Sequence, residues 1–147
     1  LVYHEGQLED YQIGKAIQLT DGNDITLIGI GNGVYQCVKT AAMLEKEGIS
    51  ARVIDLHTVK PLDREIILKA AKETRAIITV EDHVIDGGMG SAVAEVVTSS
   101  LDPEVRVPVK RLGIPNCFFI QGSPEEVYAY YGYDADGVVK AAHELLG

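Results

Sequence analysis

Residues 77–91 read IITVEDHVIDGGMGS, and this stretch decides the fold class. The apolar, β-branched residues 77–80 predict a buried strand that ends at Glu81. A glycine-rich run then leads into an apolar helical pattern that begins at Met89 or Gly90. A strand that delivers polar side chains to a glycine-rich helix start is typical of the ligand crevices of open α/β sheets.

The same alternation of strand and helix patterns extends along the chain. The predicted strands are 14–19, 25–30, 51–56, 76–81 and 105–112. The predicted helices are 34–47, 63–74, 90–100, 123–131 and a last one near the end of the sequence. Asp63 and Asp134 are the predicted caps of the second and the last helix, and Ser123 with Glu126 predicts a capping box at the start of 123–131. This order predicts βαβ units and a mostly parallel sheet with helices on both faces. Right-handed crossovers bring the carboxyl ends of parallel strands to one edge. We expect one domain that spans residues 1–147.

Composition excludes several classes of protein. The net charge is −9 and the pI is near 4.8, which disfavours nucleic acid as a partner. No apolar run approaches the roughly 20 residues of a membrane span, and the start does not resemble a signal peptide. Cys37 and Cys117 lie in no metal-like spacing and are expected to be reduced thiols, with one long-range disulfide as the weaker alternative. These features favour a cytoplasmic protein.

The start of the chain predicts a missing upstream part. The sequence begins at Leu1 instead of Met, and its first residues are polar. We expect residues 1–13 to be a lead segment from an upstream domain, which can hold the active site.

Glu81, Asp82 and His83 are the first candidates for chemistry. Carboxylates beside an imidazole suit acid–base catalysis or a divalent cation. In an extended chain, however, Glu81 and His83 share one side and Asp82 faces the other. We favour the alternative that the three are polar strand-end residues that make capping and interface hydrogen bonds. No residue is assigned as catalytic, cofactor-binding or metal-binding.

Gly87, Gly88 and Gly90 are the second group of candidates. Backbone N–H groups at a helix start can bind a small anion, and a stand-alone anion-binding regulatory module that uses these glycines with His83 is one hypothesis. Glycines also allow the close approach of another chain or domain. Both interpretations of the glycines stay open.

Two further patterns carry less chemistry. The sequence GIGNG at 29–33 follows a strand, but Val34 stands where a dinucleotide-binding loop has its third glycine. Asp55 lies inside the next predicted strand, not at its end. The tyrosines at 128, 130, 131 and 133 favour a packing or interface surface.

Several motifs together resemble the C-terminal domain of the transketolase family, over nearly the whole chain. They are RVIDLHTVKPLD at 52–63, TVEDH at 79–83 with GGMG at 87–90, and a tail with GSPEE at 122–126 and YGYD at 131–134. Related thiamine-diphosphate enzymes share parts of this pattern. The equivalent domains of 1-deoxyxylulose-5-phosphate synthase and of 2-oxo acid dehydrogenase beta subunits therefore stay open as alternatives.

The resemblance implies a three-layer α/β/α domain with a five-stranded, mostly parallel sheet whose first strand is antiparallel. It implies a parent enzyme of the pentose phosphate pathway that transfers a two-carbon ketol unit between sugar phosphates. Thiamine diphosphate and a divalent cation, Mg²⁺ or Ca²⁺, would bind between two upstream domains, on the same or a separate chain, and no cofactor would bind this domain. This domain would support a homodimer, and alone it would be inactive.

Overall fold

The computed structural model describes residues 2, 3, 6, 11–118 and 120–147. Of the predicted lead segment 1–13, residues 1, 4, 5 and 7–10 therefore lie outside the described residues. The described elements, in chain order, are β1 (Ile17–Thr20), β2 (Ile25–Gly29), α1 (Asn32–Glu45), β3 (Ala51–Asp55), α2 (Arg64–Glu73), β4 (Ile77–Val84), α3 (Met89–Thr98), β5 (Val109–Ile114), α4 (Pro124–Tyr131) and α5 (Ala135–Leu146).

The five strands form one mixed sheet in the order β1-β3-β2-β4-β5. β1 pairs antiparallel with β3, and the other neighbouring strands pair in parallel. In the centre of the sheet, Leu27 of β2 lies between Val53 of β3 and Ile78 of β4. The predicted mixed sheet with an antiparallel first strand is confirmed.

Helices cover both faces of this sheet. Strand residues alternate between the faces, so Leu27 belongs to the hydrophobic cluster that includes α1 and α5, whereas Ile28 belongs to the cluster that includes α2 and α3. All residues of β2 and β3 are buried, as expected for parallel strands covered on both sides. The predicted three-layer α/β/α architecture is therefore confirmed.

The helix starts follow the predicted caps. The side chain of Asp63 accepts a hydrogen bond from the N–H of Ile66 at 3.3 Å, and Asp134 caps α5 in the same way. Ser123 and Glu126 form the predicted capping box at the start of α4.

Three strand bounds differ from the prediction by three residues or more. β1 begins at Ile17, not at 14, because Gly14 has a φ of 84° in a turn closed by the N–H of Lys15 and the carbonyl of Gln12. β5 begins at Val109, not at 105, because the chain turns at 103–104 and residues 105–108 do not belong to a strand. β4 continues past Glu81 to Val84, so Asp82 and His83 lie inside the strand.

The topology places one crevice at the carboxyl edge of the sheet. The chain passes from β2 to β3 on one side and then crosses to β4 on the other side of β2. Ligands of open α/β sheets bind where the strand order reverses in this way. Within the described part of the chain, no helix is long and apolar enough to cross a membrane. Cys37 is buried, Cys117 is exposed, and both are free thiols.

Candidate functional site

Glu81 lies beneath the start of α3. Its side chain is only 1% exposed. Its Oε2 accepts a hydrogen bond from the N–H of Met89 at 2.7 Å, and its Oε1 accepts one from the N–H of Gly90 at 2.9 Å. The carboxylate therefore satisfies two of the N–H groups that a helix start leaves free, and its charge faces the positive end of the helix dipole.

Two glycines of the predicted group leave room for this contact. A Cβ atom on Gly88 would lie 2.2 Å from Glu81 Oε2, and a Cβ atom on Gly90 would lie 2.4 Å from Thr79 Oγ1. Gly87 has a different reason to be glycine, because its φ of 77° lies in the left-handed region. The close approach that Gly88 and Gly90 permit comes from the chain's own β4.

Asp82 contacts two tyrosines, one in α4 and one just after it. Its carboxylate accepts hydrogen bonds from the hydroxyls of Tyr128 at 2.8 Å and Tyr133 at 3.1 Å. The Tyr128 hydroxyl in turn accepts a hydrogen bond from Asn32 Nδ2 at 3.1 Å. Burial raises the pKa of both tyrosines, and the contact with Asp82 raises it further by a smaller amount. Asp82 therefore connects the end of β4 to α4 and to the start of α1.

His83 is exposed, and its ring contacts the backbone beside it. Nδ1 lies 2.7 Å from the carbonyl oxygen of Val84, a distance at which Nδ1–H donates to that carbonyl. The three predicted polar residues thus have separate surroundings: Glu81 is buried under α3, Asp82 is bonded to tyrosines, and His83 is open to solvent.

Arg111 of β5 holds the loop between β4 and α3 by hydrogen bonds, a role that the sequence analysis did not predict. Its Nη1 donates to the carbonyl of Ile85 and to Ser91 Oγ, both at 2.8 Å, and lies 3.8 Å from a carboxylate oxygen of Asp86. Arg111 and its basic neighbour Lys110 both lie inside β5.

A cleft of about 520 Å³ opens at the carboxyl edge between β2 and β4. The residues that line it come from the loop after β2, from the connection after β3, and from the end of β4 with the loop that follows: Ile30, Gly31, Asn32, Val59, Glu81, Asp82, His83, Gly87, Gly88 and Met89. All of the predicted candidates except Gly90 therefore border one cleft, at the position where the strand order reverses.

The chemistry available in this cleft is limited by existing contacts. Both oxygens of Glu81 and both oxygens of Asp82 already accept hydrogen bonds. The exposed polar side chains that line the cleft are those of Asn32, Asp82 and His83. Among the residues that the structure describes, no group of three or more His, Cys, Asp or Glu side chains could hold a metal ion. The arrangement suits polar contacts with a neighbouring surface.

The loop at 29–33 packs tightly against the sheet. A Cβ atom on Gly33 would lie 2.1 Å from the carbonyl oxygen of Val80, which explains this glycine by packing alone. Asp55 is the last residue of β3, not an interior residue as predicted. Its carboxylate is buried and accepts a hydrogen bond from the Tyr3 hydroxyl, so it is not presented to the cleft between β2 and β4.

Comparison with known proteins shows the family to which the chain belongs. The profile of the family described as "Transketolase, C-terminal domain" matches residues 14–138. The chain belongs to this family. Its resemblance to transketolases in the motifs at 52–63 and 79–90 is thereby confirmed.

Relatives of this transketolase domain carry several enzyme names. The chain is 43% identical over 145 residues to an apulose-4-phosphate transketolase subunit of Phocaeicola vulgatus, covering 99% of this chain and 45% of that protein. It is 45% identical over 139 residues to a 1-deoxy-D-xylulose-5-phosphate synthase of Desulfitobacterium hafniense, covering 95% of this chain and 22% of that protein. The chain thus spans less than half the length of these curated relatives.

A solved structure shows the same transketolase architecture. The structure titled "Split gene transketolase, inactive beta4 tetramer" superposes with a TM-score of 0.84 at 36% identity, covering 92% of this chain and 43% of that chain. The relatives therefore include transketolase subunits encoded apart from the rest of the enzyme.

Proposed function

We propose that the protein to which this chain belongs is a transketolase, which moves a two-carbon ketol unit between sugar phosphates. This chain is its C-terminal domain, on the same polypeptide as the upstream domains or in a separate C-terminal subunit. The observation that carries the proposal is the 43% identity, over nearly the whole chain, to a protein named as a transketolase subunit.

Thiamine diphosphate with Mg²⁺ or Ca²⁺ would supply the electron sink for this reaction, and we place its site outside this chain. The turn at residues 21–24, which has a Gly-Asp character, lies at the amino edge of the sheet. The Asp24 carboxylate accepts from the N–H of Ser50 at 2.8 Å and pairs with Arg75 at 3.2 Å. These residues do not fit a diphosphate and its cation, so no step of the thiamine chemistry is assigned to this chain.

The contribution of this domain is then support of the assembly. Phe118, Ile120 and Tyr130 are exposed, and Tyr131 joins their two segments because its hydroxyl accepts from the N–H of Ile120 at 3.2 Å. We define Phe118, Ile120 and Tyr130 as the aromatic patch. Exposed aromatic clusters are frequent at protein interfaces, which supports a role for the patch in homodimer formation.

The candidates in the cleft divide between two tasks under this proposal. Glu81, Gly88 and Gly90 form the internal contact that holds the start of α3. Asp82 and His83 border the cleft with exposed polar groups, which supports contact with an upstream transketolase domain.

A small anion at residues 87–90 is the less favoured second function. Glu81 already occupies the N–H groups of Met89 and Gly90, so an anion would have to compete with an internal carboxylate. A titration with phosphate and sugar phosphates, followed by the melting temperature, tests this function. We expect no specific shift; a saturable rise would favour the binding module.

The proposed activity is tested on the complete protein with its upstream domains or partner subunit. We expect ketol transfer from a ketose phosphate to an aldose phosphate that depends on thiamine diphosphate and the divalent cation, and none from this chain alone. Formation of 1-deoxyxylulose 5-phosphate by the complete protein would instead favour the synthase alternative. No turnover in either assay would contradict the proposal.

A location in the cytoplasm and a place in the pentose phosphate pathway belong to the same proposal. Cell fractionation checks the first. Isotope labelling of sugar phosphates in a strain that lacks the gene checks the second, with an altered labelling pattern as the expected result.

A further inference from the structure

Aromatic residues near the amino end of the chain contact the carboxyl end of β3. Val2 and Tyr3 pack against the hydrophobic cluster on the α1 face of the sheet. The Tyr3 hydroxyl donates to Asp55 Oδ2. The Tyr11 ring stacks on the His57 ring, with 4.0 Å between centroids and 22° between planes. Two separate positions of the amino-terminal segment are thus attached to the same strand end.

The carboxyl group of Asp55 is buried, so it requires a hydrogen-bond donor from the protein. Asp55 is 6% exposed, and its Oδ1 has no hydrogen-bond partner among the described residues. Burial raises the pKa of Asp55, while the hydrogen bond from Tyr3 and the nearby His57 act in the opposite direction. A buried carboxylate without donors is costly, and Tyr3 supplies the donor.

His57 completes the other half of this contact. Its Nδ1 lies 2.9 Å from Thr58 Oγ1, which fixes the ring, and its buried Nε2 has no partner among the described residues. The fixed ring offers a flat face, and the Tyr11 ring covers it in a nearly parallel arrangement. His57 thus contacts Tyr11 by ring stacking, as Asp55 contacts Tyr3 by a hydrogen bond.

We propose that Asp55 and His57 form an anchor that binds the amino-terminal segment at Tyr3 and Tyr11. The anchor holds the connection between this domain and the transketolase domains that precede it. This second statement rests on the proposed function, whereas the binding of the segment does not.

Hydrogen exchange of the complete protein, measured by mass spectrometry, tests the anchor. Tyr3→Phe removes one hydroxyl, and Tyr11→Leu removes one ring. In each variant we expect the peptide that covers residues 2–13 to exchange about tenfold faster, since a hydrogen bond to a charged group or a ring stack is lost. Tyr35→Phe is the matched control, because Tyr35 is 52% exposed and keeps its ring contact with Lys39.

The exchange of β2 separates local release from general unfolding. If the anchor exists, peptides from residues 25–29 keep their protection in both variants. Equal exchange of residues 2–13 in Tyr3→Phe, Tyr11→Leu, Tyr35→Phe and the unmodified protein would overturn the anchor, as would a segment that exchanges freely in the unmodified protein.

The two proposals fail in different ways. Faster exchange in Tyr3→Phe and Tyr11→Leu, together with no ketol transfer by the unmodified protein, would support the anchor and contradict the proposed function. Ketol transfer by the unmodified protein with unchanged exchange in both variants would overturn the anchor alone.

Discussion

At the scale of single residues, Glu81 holds the start of α3 through both carboxylate oxygens. The sequence places Glu81 at the end of a predicted strand, and the glycines that follow predict that another part of the structure approaches them closely. Which N–H groups the carboxylate would bind depends on how the loop between β4 and α3 folds back over the strand. Sequence alone did not reveal that the predicted anion-binding amides of Met89 and Gly90 are satisfied from within the chain.

Glu81→Gln should destabilise the domain by about 2 to 3 kcal/mol. The amide keeps one acceptor but turns an NH₂ group towards an N–H donor, and the charge that faces the helix dipole is lost. Urea unfolding measures the effect. Glu125→Gln is the matched control, because Glu125 lies in the first turn of α4 and is exposed, so its change should stay below about 1 kcal/mol. Equal effects of the two changes would contradict the assigned role.

Asp55 predicts a pH dependence of stability. Burial raises its pKa in the folded protein, so the folded state binds this proton more tightly than the unfolded state. Its contribution is then fully present below the unfolded pKa and is lost as the pH rises through the folded pKa. We expect the free energy of unfolding of the unmodified protein, relative to that of Asp55→Asn, to fall as the pH rises above about 4, the ordinary pKa of an Asp carboxyl. A difference that is constant or rises with pH would contradict this.

At the scale of elements, β4 joins the two helical layers at the carboxyl edge of the sheet. Glu81 contacts α3, whereas the next residue, Asp82, contacts tyrosines of the α4 region. Alternation of side chains along a strand predicts this division. Arg111 of β5 then ties the loop that follows β4 to the edge of the sheet.

Asp82→Ala should loosen α4 from the sheet. Two tyrosine hydroxyls lose a charged acceptor, and we expect a loss of about 1.5 to 3 kcal/mol with faster hydrogen exchange in residues 124–131. Asp86→Ala is the control, because Asp86 is exposed and its contact with Arg111 is 3.8 Å long, so its effect should stay below about 1 kcal/mol. Unchanged exchange of α4 in Asp82→Ala would show that the tyrosines hold α4 by packing alone.

The element bounds show what local patterns predict well. Strands and helices alternate as predicted, and the caps at Asp63, Ser123 and Asp134 are where the sequence places them, because capping depends on neighbouring residues only. The bounds of β1 and β5 were predicted too early. Apolar residues such as Val105 are buried in the core without joining a strand, and apolar periodicity does not separate these two cases.

At the scale of the whole molecule, strand order places the cleft at one edge of the sheet. The cleft between β2 and β4 exists because the chain crosses from one side of β2 to the other. The aromatic patch lies near the same group of elements, since the end of α4 joins the segment after β5 through Tyr131. Under the proposed function, the cleft faces an upstream domain and the aromatic patch faces the second copy of the homodimer.

Phe118→Ser should weaken assembly of the complete protein. Removal of an exposed aromatic residue from an interface centre typically costs about 2 kcal/mol, so the dissociation constant of the dimer should rise at least about tenfold. Mass photometry over a dilution series measures it. Leu101→Ser is the control, because Leu101 is equally exposed but follows α3 and is not part of the patch. The same dissociation constant for both variants would exclude Phe118 from the interface.

The sequence by itself determined the family, the order of the elements and the caps, because these depend on short-range patterns of apolar, polar and glycine residues. Only the tertiary structure decided the partners of the polar side chains. Asp82 binds tyrosines 46 and 51 positions away, and Asp55 binds Tyr3 at 52 positions. Contacts at such separations are set by strand order and by the packing of helices on the sheet, which no local pattern encodes.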